Sequence, residues 1–469
     1  MTFRRFVLLL SIVLFFSLYS DKSWAAKEKK PAFAKLTTEK AKQSKALAHY
    51  TMGIIYDGKG KRDLAIQEYK KCLKYNPHSI LAHLRLGVDY LILGDDDEAV
   101  KKFEFVKQID PKNPEARFLL ALVYATNANF VEAQREYEEI IEYNPEDLRA
   151  LSSLADIFIV QEKIKEASLV YEKLLEKKPE SPVLHFNLGI IYNRLERPDD
   201  ARREIEKAIE LDPEYVGAHI VHGVLLETKG FYEKAIESYK NALKRDPLNA
   251  GIYMRVAYAY SMAGKTEDAI NHYKIAISIA PENIDGYISL SYLYEKEKRF
   301  KEALDLLKAA IGRNPGNAKI YFYMGVIHDK VKEKKLAIEN FRKAIELKPE
   351  SAESYNYLGY MFAEDGVNLN EALKLIEKAL ELDPGNGAYI DSLGWVYFKK
   401  GKIDKAIKEL ERAVQILKED PVIRDHLGDA YFKKDLFNKA RVQWEKSLEL
   451  DPEQESVKEK IKKLKTGKE

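Results

Sequence analysis

From residue 46 onward, apolar side chains recur at spacings of three and four, and the whole pattern restarts every 34 residues. That spacing predicts amphipathic helices with one buried face, two of about 14 residues in each period. Three columns hold register across twelve periods. One carries small residues: Gly53, Gly87, Ala121, Ala155, Gly189, Gly223, Ala257, Ser291, Gly325, Gly359, Gly394 and Gly428. A second is entirely alanine, from Ala65 and Ala99 through Ala372, Ala406 and Ala440. The third is proline, from Pro77 to Pro384 and again at Pro452, with Lys418 replacing it only in the eleventh period. Small residues let paired helices approach closely. Proline removes an amide donor and disfavours helix at the residue before it, so the second helix stops there. Glycines between the helices (Gly60, Gly94, Gly230, Gly264, Gly401) permit a turn with positive φ. One extra residue within 364–371 lengthens the tenth period.

A helical hairpin of this length cannot bury its own apolar face, so the hairpins must stack and the ends need polar caps. The 34-residue period with these columns resembles the tetratricopeptide repeat (TPR) family. Aromatics stand where that family places them, at Tyr56, Tyr90 and Tyr124 on first helices and at Tyr69, Phe103, Tyr137 and Trp444 on second helices. Leu226 and His328 depart from the first-helix aromatic column. The resemblance implies an all-α, right-handed solenoid of about twelve helix-turn-helix repeats over residues 46–452, followed by a capping helix in 453–469.

Residues 1–25 read differently. Arg4 and Arg5 precede an apolar run from Phe6 to Tyr19, with Ser23 and Ala25 at the spacing of a cleavage site. This is the pattern of a secretory signal peptide, with a run shorter than the roughly 20 residues that span a bilayer. The expected location is the bacterial periplasm; the alternative is an uncleaved inner-membrane anchor facing it, the only membrane contact expected. No cysteine lies beside the site to accept a lipid, and residues 26–45 form a basic linker.

Net charge is +2, which gives no reason to expect nucleic acid as a partner. The single cysteine, Cys72, falls in a small-residue column and reads as a buried apolar residue. Met262-Ala263-Gly264-Lys265-Thr266 imitates the end of a phosphate-binding loop, but Ala259 stands where the motif needs glycine and no strand precedes it. His219 and His222 have a spacing that could share a metal, without a third ligand nearby. The repeats leave no stretch for a catalytic domain, so no enzyme activity, cofactor or metal is expected.

In TPR proteins the first helices line the concave face. Carried over by position, the partner-binding residues expected here are Phe186, Ile220, Met254, Tyr258, Ile288, Tyr292, Phe322, Tyr360, Asp391 and Trp395. Acidic side chains join them at Asp57, Glu227, Asp285, Glu295, Asp329 and Glu353. Such a groove suits an extended segment or an amphipathic helix of another protein. The paired asparagines and lysines with which chaperone-binding TPR proteins clamp a terminal carboxylate are replaced by apolar residues. Tyr355 to Tyr397 is similar to a segment of bacterial periplasmic protease-adaptor TPR lipoproteins, although the lipid-attachment cysteine is missing. The reading is therefore a scaffold or adaptor of the cell envelope. The alternative is a structural component of a polysaccharide-secretion or type IV pilus system. Substituting Tyr360 and Trp395 by alanine is expected to weaken partner capture with little change in melting temperature.

Overall fold

The computed structural model describes residues 38–466, with side chains over 39–464; the signal-peptide segment 1–25 and most of the 26–45 linker lie outside the described residues. The described chain holds twenty-five α-helices and no strand. Twenty-four of them form twelve hairpins, and the fold is an all-α TPR solenoid. The division into two compact units falls between Leu225 and Leu226, inside the helix Val216–Thr228. No described helix is long and apolar enough to cross a membrane.

In the first unit, Thr38–Gly58 pairs with Arg62–Tyr75, Ile80–Leu93 with Asp96–Ile109, Pro114–Thr126 with Phe130–Tyr143, Leu148–Val160 with Ile164–Lys177, and Pro182–Arg194 with Pro198–Leu211. The second unit repeats the plan from Tyr232–Arg245 through the hairpin Pro421–Lys433 and Phe437–Leu450, and ends on Glu455–Thr466 packed against the last hairpin. Helix therefore starts at Thr38, earlier than the 34-residue pattern itself.

Each column has a contact that explains it. A Cβ added at Gly53 would stand 2.3 Å from the Tyr69 ring, at Gly87 2.4 Å from Phe103, and at Gly428 2.4 Å from Trp444. The large residue of the second helix thus lies directly on the backbone of the first, and Tyr69, Tyr137, Tyr239, Phe103 and Phe341 are almost wholly buried there. All the alanines of the second column from Ala65 to Ala440 are inaccessible to solvent.

The turn inside each hairpin places one residue in the left-handed region, and its φ is positive whether or not it is glycine. Gly60, Gly94, Gly230, Gly264, Gly366 and Gly401 alternate with Ala128, Glu162, Glu196, Lys298, Lys332 and Asp435 in this one column. The extra residue of the tenth hairpin is absorbed here, where Asn368 takes a second left-handed conformation (φ 49°, ψ 32°) two residues after Gly366.

First helices are also started by side chains. Ser79, Asn113, Asp147, Ser181, Asn249, Asn283, Asn317, Asn386 and Asp420 each accept a hydrogen bond from an amide of the first turn. They satisfy donors that have no partner inside the helix. Most second helices lack such a cap and are held by packing. Before each proline the chain leaves the helical region, as at Asn76 (φ −137°, ψ 87°). Leu417 does the same before Lys418 (φ −110°, ψ 75°), so the hairpin-to-hairpin connection survives without its proline.

Candidate functional site

Several histidines resolve into structure. The Nε2–H groups of His83, His185 and His219 each donate to the carbonyl of the column proline six residues earlier, Pro77, Pro179 and Pro213, at 2.9 Å. Arg117 donates to Pro111 in the same way, and Arg424 to Lys418. These side chains latch a first helix to the turn before it. His49 occupies the same column, so four histidines at multiples of 34 were the available signal for this role. His222, the other member of the spaced pair, lies 3.5 Å from Glu206, and burial lowers its pKa. Among the described residues no group of three or more His, Cys, Asp or Glu is arranged to hold a metal ion. Cys72 is buried and burial raises its thiol pKa.

In the second unit, three successive first helices, Ile284–Lys296, Ala318–Lys330 and Ala352–Glu364, enclose an open pocket of about 230 Å³. Phe322, Val326 and Ile327 supply apolar surface, Tyr292, Tyr323 and Tyr357 supply rings, and Ser291, Glu295, Lys330 and Glu353 supply polar groups. The Phe322 ring meets Tyr323 edge-on at 5.4 Å and Tyr357 edge-on at 5.7 Å. Buried Phe341 backs both, 5.8 Å from Phe322 and 5.0 Å from Tyr357. The rings therefore brace one another, which favours a preformed wall.

The electrostatics of this pocket lean negative. Burial first, then the Asp329 and Glu295 carboxylates, push the Tyr357 hydroxyl up to about 12. Burial, then Glu353 and Tyr292, raise Tyr323. Lys330 is committed to Glu295 at 3.4 Å, and Asp329 is held by Lys334 at 2.8 Å. Glu353 has no ion pair or hydrogen bond among the described residues; burial raises its pKa, and Lys319 opposes that only through its charge.

The residues expected on the groove divide three ways. Tyr258 and Tyr292 are exposed, at 42% and 61%. Phe186, Ile220, Met254, Ile288 and Tyr360 are half-buried, and Phe186 packs on Tyr215 in the first unit. Phe322, Asp391 and Trp395 are buried, each 6% exposed. For Asp391 and Trp395 the expectation of an open surface is corrected. His426 Nδ1 stands 3.0 and 3.1 Å from the two Asp391 oxygens, and its ring stacks on Trp395 at 4.0 Å. The Trp395 indole N–H donates to Glu364 at 2.8 Å. Burial disfavours charge on His426, but Asp391 and then Asp425 and Asp429 lift its pKa above the ordinary value. One hairpin later Lys460 repeats the arrangement, donating to both Asp425 and Asp429. The double alanine substitution of Tyr360 and Trp395 would accordingly damage packing.

Other acidic groups of the expected face are also engaged. The Tyr239 hydroxyl donates to Glu227 at 2.7 Å and Arg255 adds a contact at 3.1 Å. In the first unit Asp89 is buried, paired with Arg62 at 3.3 Å. Desolvation, then the neighbouring Asp57 carboxylate, push Asp89 up to about 7. Tyr323 and Tyr357 were missed as site residues. They stand 34 apart, one position after the column that was read, and that repetition of tyrosine was the signal.

A family model described as tetratricopeptide repeat matches residues 90–157 and 262–324, others so described match 220–284, 333–387, 46–79 and 182–215, and a TPR repeat model matches 394–435. Among solved structures, yeast Tom70 is 18% identical, with 90% of this chain and 99% of that one covered and a TM-score of 0.46. Cut9 in the APC/C Cut9–Hcn1 hetero-tetramer structure is 16% identical over 92% and 96%, with a TM-score of 0.44. MamA protein is 26% identical over 36% of this chain and 92% of its own, with a TM-score of 0.31. No curated protein sequence matches the chain.

Proposed function

The chain belongs to the tetratricopeptide repeat family, whose hairpins build protein-interaction scaffolds, and on that premise we propose that it binds a segment of a partner protein across the first helices of its second unit. The observation that carries this reading is the open pocket floored by Phe322 and walled by Tyr292, Tyr323 and Tyr357. Half-buried Tyr323 and Tyr357, braced by Phe322, with exposed Tyr292 beside them, form an aromatic surface that a partner can bury with little loss of side-chain freedom. Extended segments and amphipathic helices present single anchoring side chains at regular intervals, which suits a cavity of this size.

The same proposal places the protein in the bacterial envelope as an exported adaptor. The pattern of residues 1–25 and the similarity of Tyr355–Tyr397 to periplasmic adaptor repeats support that part. The role is one of binding, and no catalytic step is assigned to any residue.

A photo-crosslinking amino acid placed at Tyr258 or Tyr292 in intact cells tests the groove. Both positions should give an adduct with the same partner, while one at exposed Leu248 should not. Adducts at all three positions alike, or at none, would sink the reading. Amino-terminal sequencing of the envelope form should begin at Ala26, and a start at Met1 would instead support the anchor.

A further inference from the structure

We propose that the pocket between the eighth, ninth and tenth hairpins takes a basic side chain of the partner, arginine before lysine. This deepens the binding reading above and rests on it. Its volume of about 230 Å³ falls below the roughly 300–1,000 Å³ of typical small-molecule sites, and suits one long side chain. The choice of charge follows from what the lining groups already do.

Tyrosine rings attract a cation over their faces, and Tyr292, Tyr323 and Tyr357 all border the space. Glu295 and Glu353 lie in the lining against a single lysine, so the charged groups bordering the cavity leave it a net negative charge that favours a cation. The one lysine in the lining, Lys330, is engaged by Glu295. Glu353 is the group left over: exposed at the pocket's edge, within the lining, and joined to no donor among the described residues. A guanidinium entering the pocket supplies that donor and lays a planar, weakly hydrated cation on aromatic surface. An acidic side chain or a terminal carboxylate would meet Glu353 as a like charge. The site is thus opposite in sign to a carboxylate clamp.

The test uses the full chain and an acetylated octapeptide library in which one position at a time is fixed, so that only side chains can supply a cation. Arginine should be enriched at one position, ahead of lysine. Fluorescence anisotropy of the enriched peptide should then show an affinity about three- to tenfold lower for Glu353→Gln. Added salt should weaken the wild type more than this variant. A melting curve equal to wild type shows that Glu353→Gln is folded; Tyr292→Ala provides a second folded variant, since Tyr292 is 61% exposed, and it should lower affinity as well. Enrichment of leucine or phenylalanine without a basic preference overturns the inference and leaves the binding function standing. So does an arginine peptide whose affinity is indifferent to Glu353→Gln. Failure of the wild type to retain any peptide, together with no crosslink at Tyr292, overturns both.

Discussion

Gly325 and Gly312 lie in neighbouring helices of one unit, and the same substitution should change stability in opposite directions at the two. A Cβ at Gly325 would stand 2.7 Å from Phe341 Cε1, 2.8 Å from Cδ1 and 2.9 Å from Cζ. The ring must withdraw by roughly 0.7 Å to reach ordinary contact at 3.4 Å. Phe341 is fully buried, and Phe322 and Tyr357 stand against it, so withdrawal disturbs the pocket wall. Overpacking of this kind costs about 1–3 kcal/mol. The gain in helix propensity on leaving glycine offsets about 1 kcal/mol of that, for a net loss of about 1 kcal/mol. At Gly312 an added Cβ meets nothing within 4 Å, so only the propensity gain operates, about 0.5–1 kcal/mol. Chemical denaturation of Gly325→Ala and Gly312→Ala should therefore separate them by roughly 2 kcal/mol. Because stability in a repeat array is approximately local, hydrogen exchange should show the loss centred on the ninth hairpin. If Gly325→Ala is as stable as Gly312→Ala, the close-approach account of the small-residue column is wrong.

Further outcomes follow from the buried groups. Asp89 has a folded pKa raised above its unfolded value, so it binds more protons folded than unfolded; its contribution is fully present below about pH 4 and is lost as pH rises to about 7. Asp89→Asn should flatten that fall in denaturation experiments at pH 5 and pH 8, and an unchanged slope would refute the shift. His426 is also raised, so the stability it contributes is present below about pH 6.5 and is lost as pH climbs through the folded value. Asp391→Ala should weaken this dependence, because burial then favours the neutral ring, and should cost about 1–3 kcal/mol by leaving the buried imidazole without its acceptor. Trp395→Ala should cost about 3–5 kcal/mol through its lost stack and hydrogen bond, whereas exposed Tyr292→Ala should stay within about 0.5 kcal/mol. Lys298→Gly should raise stability by about 0.5–1 kcal/mol by freeing a left-handed residue from its Cβ, read by melting against wild type.

The sequence by itself determined the hairpins, their number and their internal packing. Gly53 against Tyr69 and Gly428 against Trp444 are contacts between fixed columns of one repeat, so periodicity alone places them. The helix stops were legible in the prolines, and the caps from Ser79 to Asp420 were written in a further column that went unread. The left-handed turn residue was legible only in part, since Glu162 and Lys298 take the same conformation as Gly60. There the hydrogen-bonded turn overrides residue preference. Access to the face was decided by tertiary structure alone. Trp395 and Tyr292 share a column, yet one lies under His426 and the other is open. Whether such a position reaches solvent depends on the size and charge of side chains one and two hairpins away. A 34-residue repeat fixes where those neighbours stand and leaves free what they are.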